Sequence, residues 1–288
     1  MTFQRLFPWL LRAAWVALPF TAGPAIEAAV RQHSFPVQVV AAVGLWAAWA
    51  LGLVATLVPH PLGLTALRIL GPGTLAAALA AAVDHHASVL AVAWTAGVTA
   101  LILLPDTALY LVNGPAYPNE RRYPLRVPAP LLLGPLELAW AVVVGGPAVG
   151  VLLLAARAWV AGGIVSVLGI AGAALLLRPL HGLSRRWFVL VPAGVVLHDP
   201  ISLADPVLFR KQIVETLRAA PAGTDSLDLT QRAAGLPLEL ILLEKVPMVL
   251  VKPGERLGES GASARLLFTP TRPGAVLADA ATRRIPVG

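Results

Sequence analysis

Six stretches of almost uncharged residues, each close to the ~20 that a helix needs to cross the hydrocarbon core of a bilayer, decide what this chain can fold into. They cover residues 10–30, 37–58, 62–83, 87–104, 130–155 and 158–177. With only 13% charged residues and a mean hydropathy of +0.76, the chain needs lipid as the solvent for much of its surface. Short polar connections such as "RQHSFP" and "DHH" join neighbours antiparallel, so the expected product is a helical polytopic bundle of about six transmembrane helices. In the third stretch Arg68 and "GPG" predict a kinked or partly re-entrant helix. In the fifth, Pro147 frees a backbone acceptor and the Gly146 to Gly150 spacing permits close helix approach.

The composition changes near Leu177. Residues 1–177 hold 8 Lys+Arg and 5 Asp+Glu, whereas 178–288 hold 14 and 10. The chain therefore divides into a transmembrane domain, 1–177, and a second domain, 178–288, of a size that supports its own core. In the second, "RWFVLVP" and "GVVLHDP" read as strands joined through Pro192 and Ala193, and "SLDLT", "LPLELILLE", "PMVLVKP" and "ARLLFTP" as further strands. "FRKQIVETLRAAP" suits a helix or a strand. At the end Thr271 is placed to cap a helix, Pro273 suits its first turn, and Val276, Leu277, Ala280 and Ala281 form one narrow apolar face. A small β-rich α+β domain with a closing helix follows.

Orientation follows from the arginines of the short loops. With the N-terminus inside, Arg5, Arg12, Arg68, Arg121, Arg122, Arg126, Arg178, Arg185 and Arg186 fall on the cytoplasmic side, and only Arg31 and Arg157 outside. An even number of spans then puts both termini and the β-rich domain in the cytoplasm of a plasma-membrane protein. The apolar N-terminus lacks a small-x-small cleavage site before a polar start, so it reads as the first span and not as a removed signal.

Several strands followed by "FTPTRPGAVLADAATRRI" resemble the bacterial pleckstrin-homology-like domains that follow transmembrane helices. Their last strand and helix are joined by a turn like Thr269, Pro270, Arg272 and Pro273 here. The membrane half, with its "NERRYPLR" loop, resembles multi-pass proteins of Ala-rich, high-GC bacteria of the actinobacterial type. The resemblance implies a binding or scaffolding module at the membrane surface, not an active site. It does not name a ligand: Arg185 with Arg186 and Arg210 with Lys211 form basic pairs, but acids lie nearby.

The chemistry left open is narrow. Without cysteine there is no disulfide, thiol nucleophile or Cys-ligated metal. A net charge of +7 does not imply nucleic acid, since the basic residues mix with acids or flank apolar spans. "LGESGAS", with Gly258, Ser260 and Gly261, carries a serine-protease-like pattern in a polar stretch that reads as a flexible loop. His85 and His86 follow Asp84 without a third spaced metal ligand. No phosphate-cradling glycine loop or dinucleotide fingerprint occurs, and no catalytic residue, cofactor or metal site is assigned. The tryptophans read as interface anchors and packing groups.

Two groups of residues remain. The loop "NGPAYPNERRYPLRVPAP" presents Tyr117, Tyr123, Arg121, Arg122 and Arg126 to anionic headgroups or to the β-rich domain, and its tyrosines with Tyr110 are expected at one membrane interface. Glu27, Arg68 and Glu137 are ionisable groups within apolar spans, with Arg12 or Arg68 as the expected partner of Glu137 two turns into its helix. The first group favours a non-enzymatic membrane protein presenting a binding domain to lipid headgroups or a cytoplasmic protein. The second leaves a small transporter as the alternative, and an intramembrane enzyme as a third class.

Overall fold

The computed structural model describes residues 2–83, 88–251 and 258–288. The chain forms two compact units: Met1–Gly114 with Leu136–His181, and Pro115–Pro135 with Gly182–Gly288. This division differs from a single cut at 177/178, because the segment between two apolar helices belongs to the β-rich unit.

The first unit is helical: α1 (Thr2–Val16), α2 (Leu18–Thr21), α3 (Gly23–Val30), α4 (Phe35–Leu57), α5 (Pro61–Val83), α6 (Val89–Leu103), α7 (Pro105–Asn113), α8 (Pro135–Ala155) and α9 (Trp159–Leu183). Four of these, α4, α5, α8 and α9, are long and apolar enough to cross a membrane. A fifth crossing is available if α6 and α7, bent by 56° at Leu104, act as one. The first and fourth of the six apolar stretches are not single straight helices. Pro19 and Pro24 interrupt the first apolar run, which becomes α1, α2 and α3, and Pro105 bends the fourth.

Prolines in apolar helices leave carbonyls that lipid cannot satisfy, and side chains here supply the missing donors. Pro19 removes the N–H that would bond to Trp15 O, and the Trp49 indole donates there at 3.2 Å. Pro105 does the same to Leu101 O, which accepts from the Thr107 hydroxyl at 2.7 Å. The Trp15 indole donates to Trp49 O, Trp94 to Ala14 O and Trp140 to Ile69 O, at 2.9, 3.1 and 2.9 Å. Tryptophans expected only to anchor and pack also tie helices together. Between α8 and α9 small residues do this work: a Cβ on Gly146 would lie 2.6 Å from Gly169 Cα, and one on Gly150 2.5 Å from Ser166 Oγ.

Among the described residues the second unit holds two four-stranded sheets. In the first, β1 (Arg121–Pro124), β2 (Trp187–Val191), β3 (Gly194–His198) and β4 (Val207–Arg210) pair antiparallel in that order. The second contains β5 (Val214–Ala219), β6 (Leu227–Asp228), β7 (Leu238–Leu250) and β8 (Glu259–Phe268) in the order β5-β7-β8-β6, with β6 parallel to β8. A closing helix, α10 (Pro273–Thr282), contacts β5. Phe188 of the first sheet stacks on Phe268 of the second with ring centroids 4.5 Å apart, and Tyr123 and Phe209 are also fully buried. The core of this unit is thus built from both sheets.

Local outcomes follow from backbone chemistry. The ambiguous "FRKQIVETLRAAP" becomes the end of β4, a short 3-10 turn over Lys211–Ile213, and β5. "LPLELILLE" and "PMVLVKP" merge into one strand, β7, with an irregular register between Ile241 and Val246. Pro247 is tolerated because β5 pairs only with Leu238 to Leu242, and on that edge the described residues meet the far half of β7 beyond Pro247, where Leu203 bridges Leu250. Thr271 does not cap α10. The cap position is Arg272, which makes no side-chain cap bond, and Val276 and Ala280 are the buried residues of its face.

Candidate functional site

Segment 115–135 leaves the first unit as loop and becomes sheet. Arg121, Arg122, Tyr123 and Pro124 pair with Leu190, Val189, Phe188 and Trp187. Leu125 N extends this pairing by donating to Arg186 O at 3.0 Å, and the segment then bridges to the chain just after β8, where Arg126 N donates to Thr269 O at 2.9 Å and Thr271 N to Pro124 O at 2.9 Å. Tyr123 is 2% exposed. Its hydroxyl donates to the Asp279 carboxylate of α10 and approaches Ala275 O at 3.3 Å. Burial, and then the hydrogen bond and charge of Asp279, push its ionisation above the ordinary value of 10.0, so it remains a donor at any physiological pH.

Beneath β1 lies a buried ion pair. Arg186 meets Asp199 with Nε to Oδ1 at 2.7 Å and Nη2 to Oδ2 at 2.8 Å, and the side chains are 2% and 1% exposed. Further bonds support the pair: Arg186 Nη1 donates to Arg126 O at 2.7 Å, and Ser202 Oγ and Ile201 N donate to Asp199 at 2.9 and 3.2 Å. Burying a charge pair costs several kcal/mol per ion unless such bonds complete it. The loop segment supplies one of those bonds through its main chain.

On the outer side of β2, Arg122 stacks over Trp187 at 5.2 Å and pairs with Glu120 at 2.7 Å, while Trp187 stacks on His198 at 5.1 Å. Burial, then the charge of Arg185, lower the His198 pKa below its ordinary 6.5, against an opposing pull from Asp199. In the second sheet Glu239 is fully buried and accepts from Ser226 at 2.7 Å, Thr224 at 2.8 Å and Arg218 at 2.9 Å. Burial alone would raise its pKa, but these bonds and the Arg218 charge outweigh it and hold the carboxyl below its ordinary 4.5. A depressed carboxyl contributes stability fully above its unfolded pKa and loses it as pH falls through the folded one. Glu239→Gln is therefore expected to weaken this unit at pH 7 and to flatten its loss of stability below about pH 4.5, as read by hydrogen exchange of β7 peptides at both pH values.

Open depressions mark the surface of this unit among its described residues. One, of about 440 Å³, is lined by Arg210 and Lys245 but also by Glu244. Another, of about 470 Å³, lies among Pro118, Asn119, Pro192, Lys211, Arg283 and Ile285, with two cations and no carboxylate in its lining.

The residues singled out in the sequence separate as follows. Tyr123 is a core residue, Tyr110 accepts a hydrogen bond from Arg12 at 2.9 Å, and Tyr117 is 78% exposed. Arg122 is committed to Glu120 and Trp187, and Arg126 uses its main chain in the bridge while its side chain is exposed. Arg121 remains half-buried in β1. Glu27 pairs with Arg31, one turn on, at 2.6 Å, with both side chains exposed. Glu137 lies in the first turn of α8, not two turns in, because Ala129–Leu133 form a 3-10 turn that ends at Gly134 with φ +129°. An acid suits that turn through the helix dipole. The Arg12 side chain is bonded to Thr56 O and Tyr110, away from the expected pairing with Glu137. Arg68 is half-buried in α5 with no hydrogen bond or ion pair seen among the described residues. Ser260 and Gly261 are in β8, paired with Val249 and Met248, and not in a flexible loop. Asp84, His85 and His86 lie outside the described residues, and among those described no three His, Asp or Glu side chains gather as metal ligands.

The buried roles of Tyr123, Arg186, Asp199 and Glu239 were not anticipated. The signal for the first was faint but present: Tyr123 and Leu125 alternate with polar or proline neighbours at the period of a strand. Comparison of the chain with protein-family models, with curated proteins and with solved structures finds no match.

Proposed function

We propose that this is a non-enzymatic, multi-pass plasma-membrane protein whose β-rich, pleckstrin-homology-like unit serves as a binding or scaffolding module at the cytoplasmic face. The observation that carries the reading is the pairing of β1, from between α7 and α8, with β2, from beyond α9. Strands of one sheet share one side of a membrane, so the chain between them must cross it an even number of times. Helices α8 and α9, of 21 and 25 residues, supply two crossings. With α4, α5, the bent α6–α7 and the broken α1–α3 as further crossings, six result and both termini share that side. Arg121, Arg122, Arg126, Arg185 and Arg186 belong to it, whereas the α8–α9 turn holds only Arg157, which favours the cytoplasm. The transporter reading draws less support, since Glu27 is paired locally and Glu137 stands at a helix start.

The absence of native cysteine makes the test direct. Ala156→Cys, Tyr117→Cys and Asp205→Cys place single thiols at three exposed positions. A membrane-impermeant maleimide is expected to label the first in intact cells and the other two only after permeabilisation. Labelling of Asp205→Cys in intact cells would refute the proposal.

A further inference from the structure

We propose that the depression between Lys211 and Arg283 is a binding site for a phosphate-bearing anion. The inference rests on reading the β-rich unit as a binding module, and it assigns the ligand class.

Four separate segments of the unit build the site. Pro118 and Asn119 come from the segment between α7 and α8, Pro192 from the β2–β3 turn, and Arg283 and Ile285 from the end of α10, with Lys211 opening the 3-10 turn after β4. Hydrogen bonds to main-chain carbonyls hold both cations without neutralising them. Lys211 Nζ donates to Arg283 O at 2.8 Å, and its own N–H donates to Ala193 O at 2.9 Å. Arg283 Nη1 donates to Asn119 O at 2.6 Å and, more weakly, to Leu190 O at 3.4 Å. A lysine ammonium carries three donors and a guanidinium five, so most of their donor capacity is unspent. Among the described residues neither cation has an ion-pair partner. Of the acids close by in sequence, Glu120 is engaged with Arg122 and Asp279 with Tyr123, and the exposed Glu215 is not part of the lining.

Two cations fixed at a concave surface with spare donors, and with no carboxylate in the lining, attract a compact multiply charged oxyanion and bond to its oxygens. The depression of about 440 Å³ differs on this point, since Glu244 stands beside its Arg210 and Lys245. The shared chemistry is a phosphate group, borne either by a soluble molecule or by a lipid headgroup.

The chain has three lysines, at 211, 245 and 252, which permits a self-calibrated test. The full chain is placed in nanodiscs of phosphatidylcholine and acylated with a limiting amine-reactive ester, and modification of each lysine is read by mass spectrometry. Inorganic phosphate, at constant ionic strength set with chloride, is expected to slow acylation of Lys211 severalfold relative to Lys245. In a second arm phosphatidylglycerol replaces part of the phosphatidylcholine and no phosphate is added. Protection in the first arm identifies a soluble source, and protection only in the second a headgroup. Arg283→Gln is expected to raise the protecting phosphate concentration about tenfold, with Arg283→Lys, which keeps the charge, in between. Unprotected Lys211 in both arms, or protection that Arg283→Gln leaves unchanged, overturns the site. Sidedness is read separately by the cysteine labels. An unprotected Lys211 on a cytoplasmic unit refutes the anion site alone, whereas a unit found outside refutes the reading on which the site rests.

Discussion

Tyr123→Ala is expected to cost the β-rich unit about 3–5 kcal/mol, as loss of a large buried aromatic does, and so to remove much of the ~5–15 kcal/mol that holds a domain folded. The residue is fully buried against Phe188, closes the first sheet through β1, and bonds to α10 through Asp279. Hydrogen exchange of peptides covering β2 and β3, measured on the full chain in detergent, should rise toward the unfolded rate. Tyr123→Phe keeps the ring but leaves the half-buried Asp279 carboxylate without this donor, at about 1–3 kcal/mol. A fragment of residues 182–288 lacks β1 entirely and should remain unfolded until a peptide of residues 115–135 is added. Unchanged exchange in Tyr123→Ala, or a fragment folded without the peptide, would show that the inter-helix segment is dispensable.

The second large effect concerns Arg186 and Asp199. Arg186→Met leaves an unpaired carboxylate in a dry site and is expected to destabilise by about 3–5 kcal/mol, as is the reciprocal Asp199→Leu. The double replacement should recover much of that loss, because an apolar pair of similar volume needs no charge compensation. Recovery would stop short of full, since Ser202, Ile201 N and the carbonyl of Arg126 would lose their partners. Denaturant unfolding of the three variants, followed by the same exchange peptides, separates the cost of breaking the pair from the worth of having it. Additive losses in the double variant would mean the two side chains act independently.

How much of this could be read from the residues depends on how local each cause is. The hairpin of β2 and β3 was readable because apolar runs flank Pro192 and Ala193, and the buried positions Val276 and Ala280 of α10 follow the helical period. The helical half was readable in extent but not in continuity. Whether Pro19, Pro24 and Pro105 kink a span or break it depends on donors such as Trp49 and Thr107, which lie elsewhere in the chain or on the far side of the break. Strand β1 was hidden for a stronger reason. Its four residues, "RRYP", have two charges and a proline, and its partner strand lies two long apolar helices further on. Glu239 was hidden in the same way, since its partners Arg218, Thr224 and Ser226 come from the preceding strand and loop and an acid in a strand reads as solvent-facing.

The interleaving of the two units also sets an order of events during synthesis. Residues 115–135 leave the ribosome first, then the chain for α8 and α9 must be made, which at roughly 5–20 residues per second takes several seconds, before any partner for β1 exists. For that interval β1 waits unpaired. If the α8–α9 hairpin then inserts with a single crossing, β1 and β2 are stranded in different compartments, Arg186 and Asp199 lose the carbonyl of Arg126, and the sheet cannot close. A folded β-rich unit is thus a record that the hairpin was threaded correctly, and a protease that removes unfolded domains would discard the molecules in which it was not.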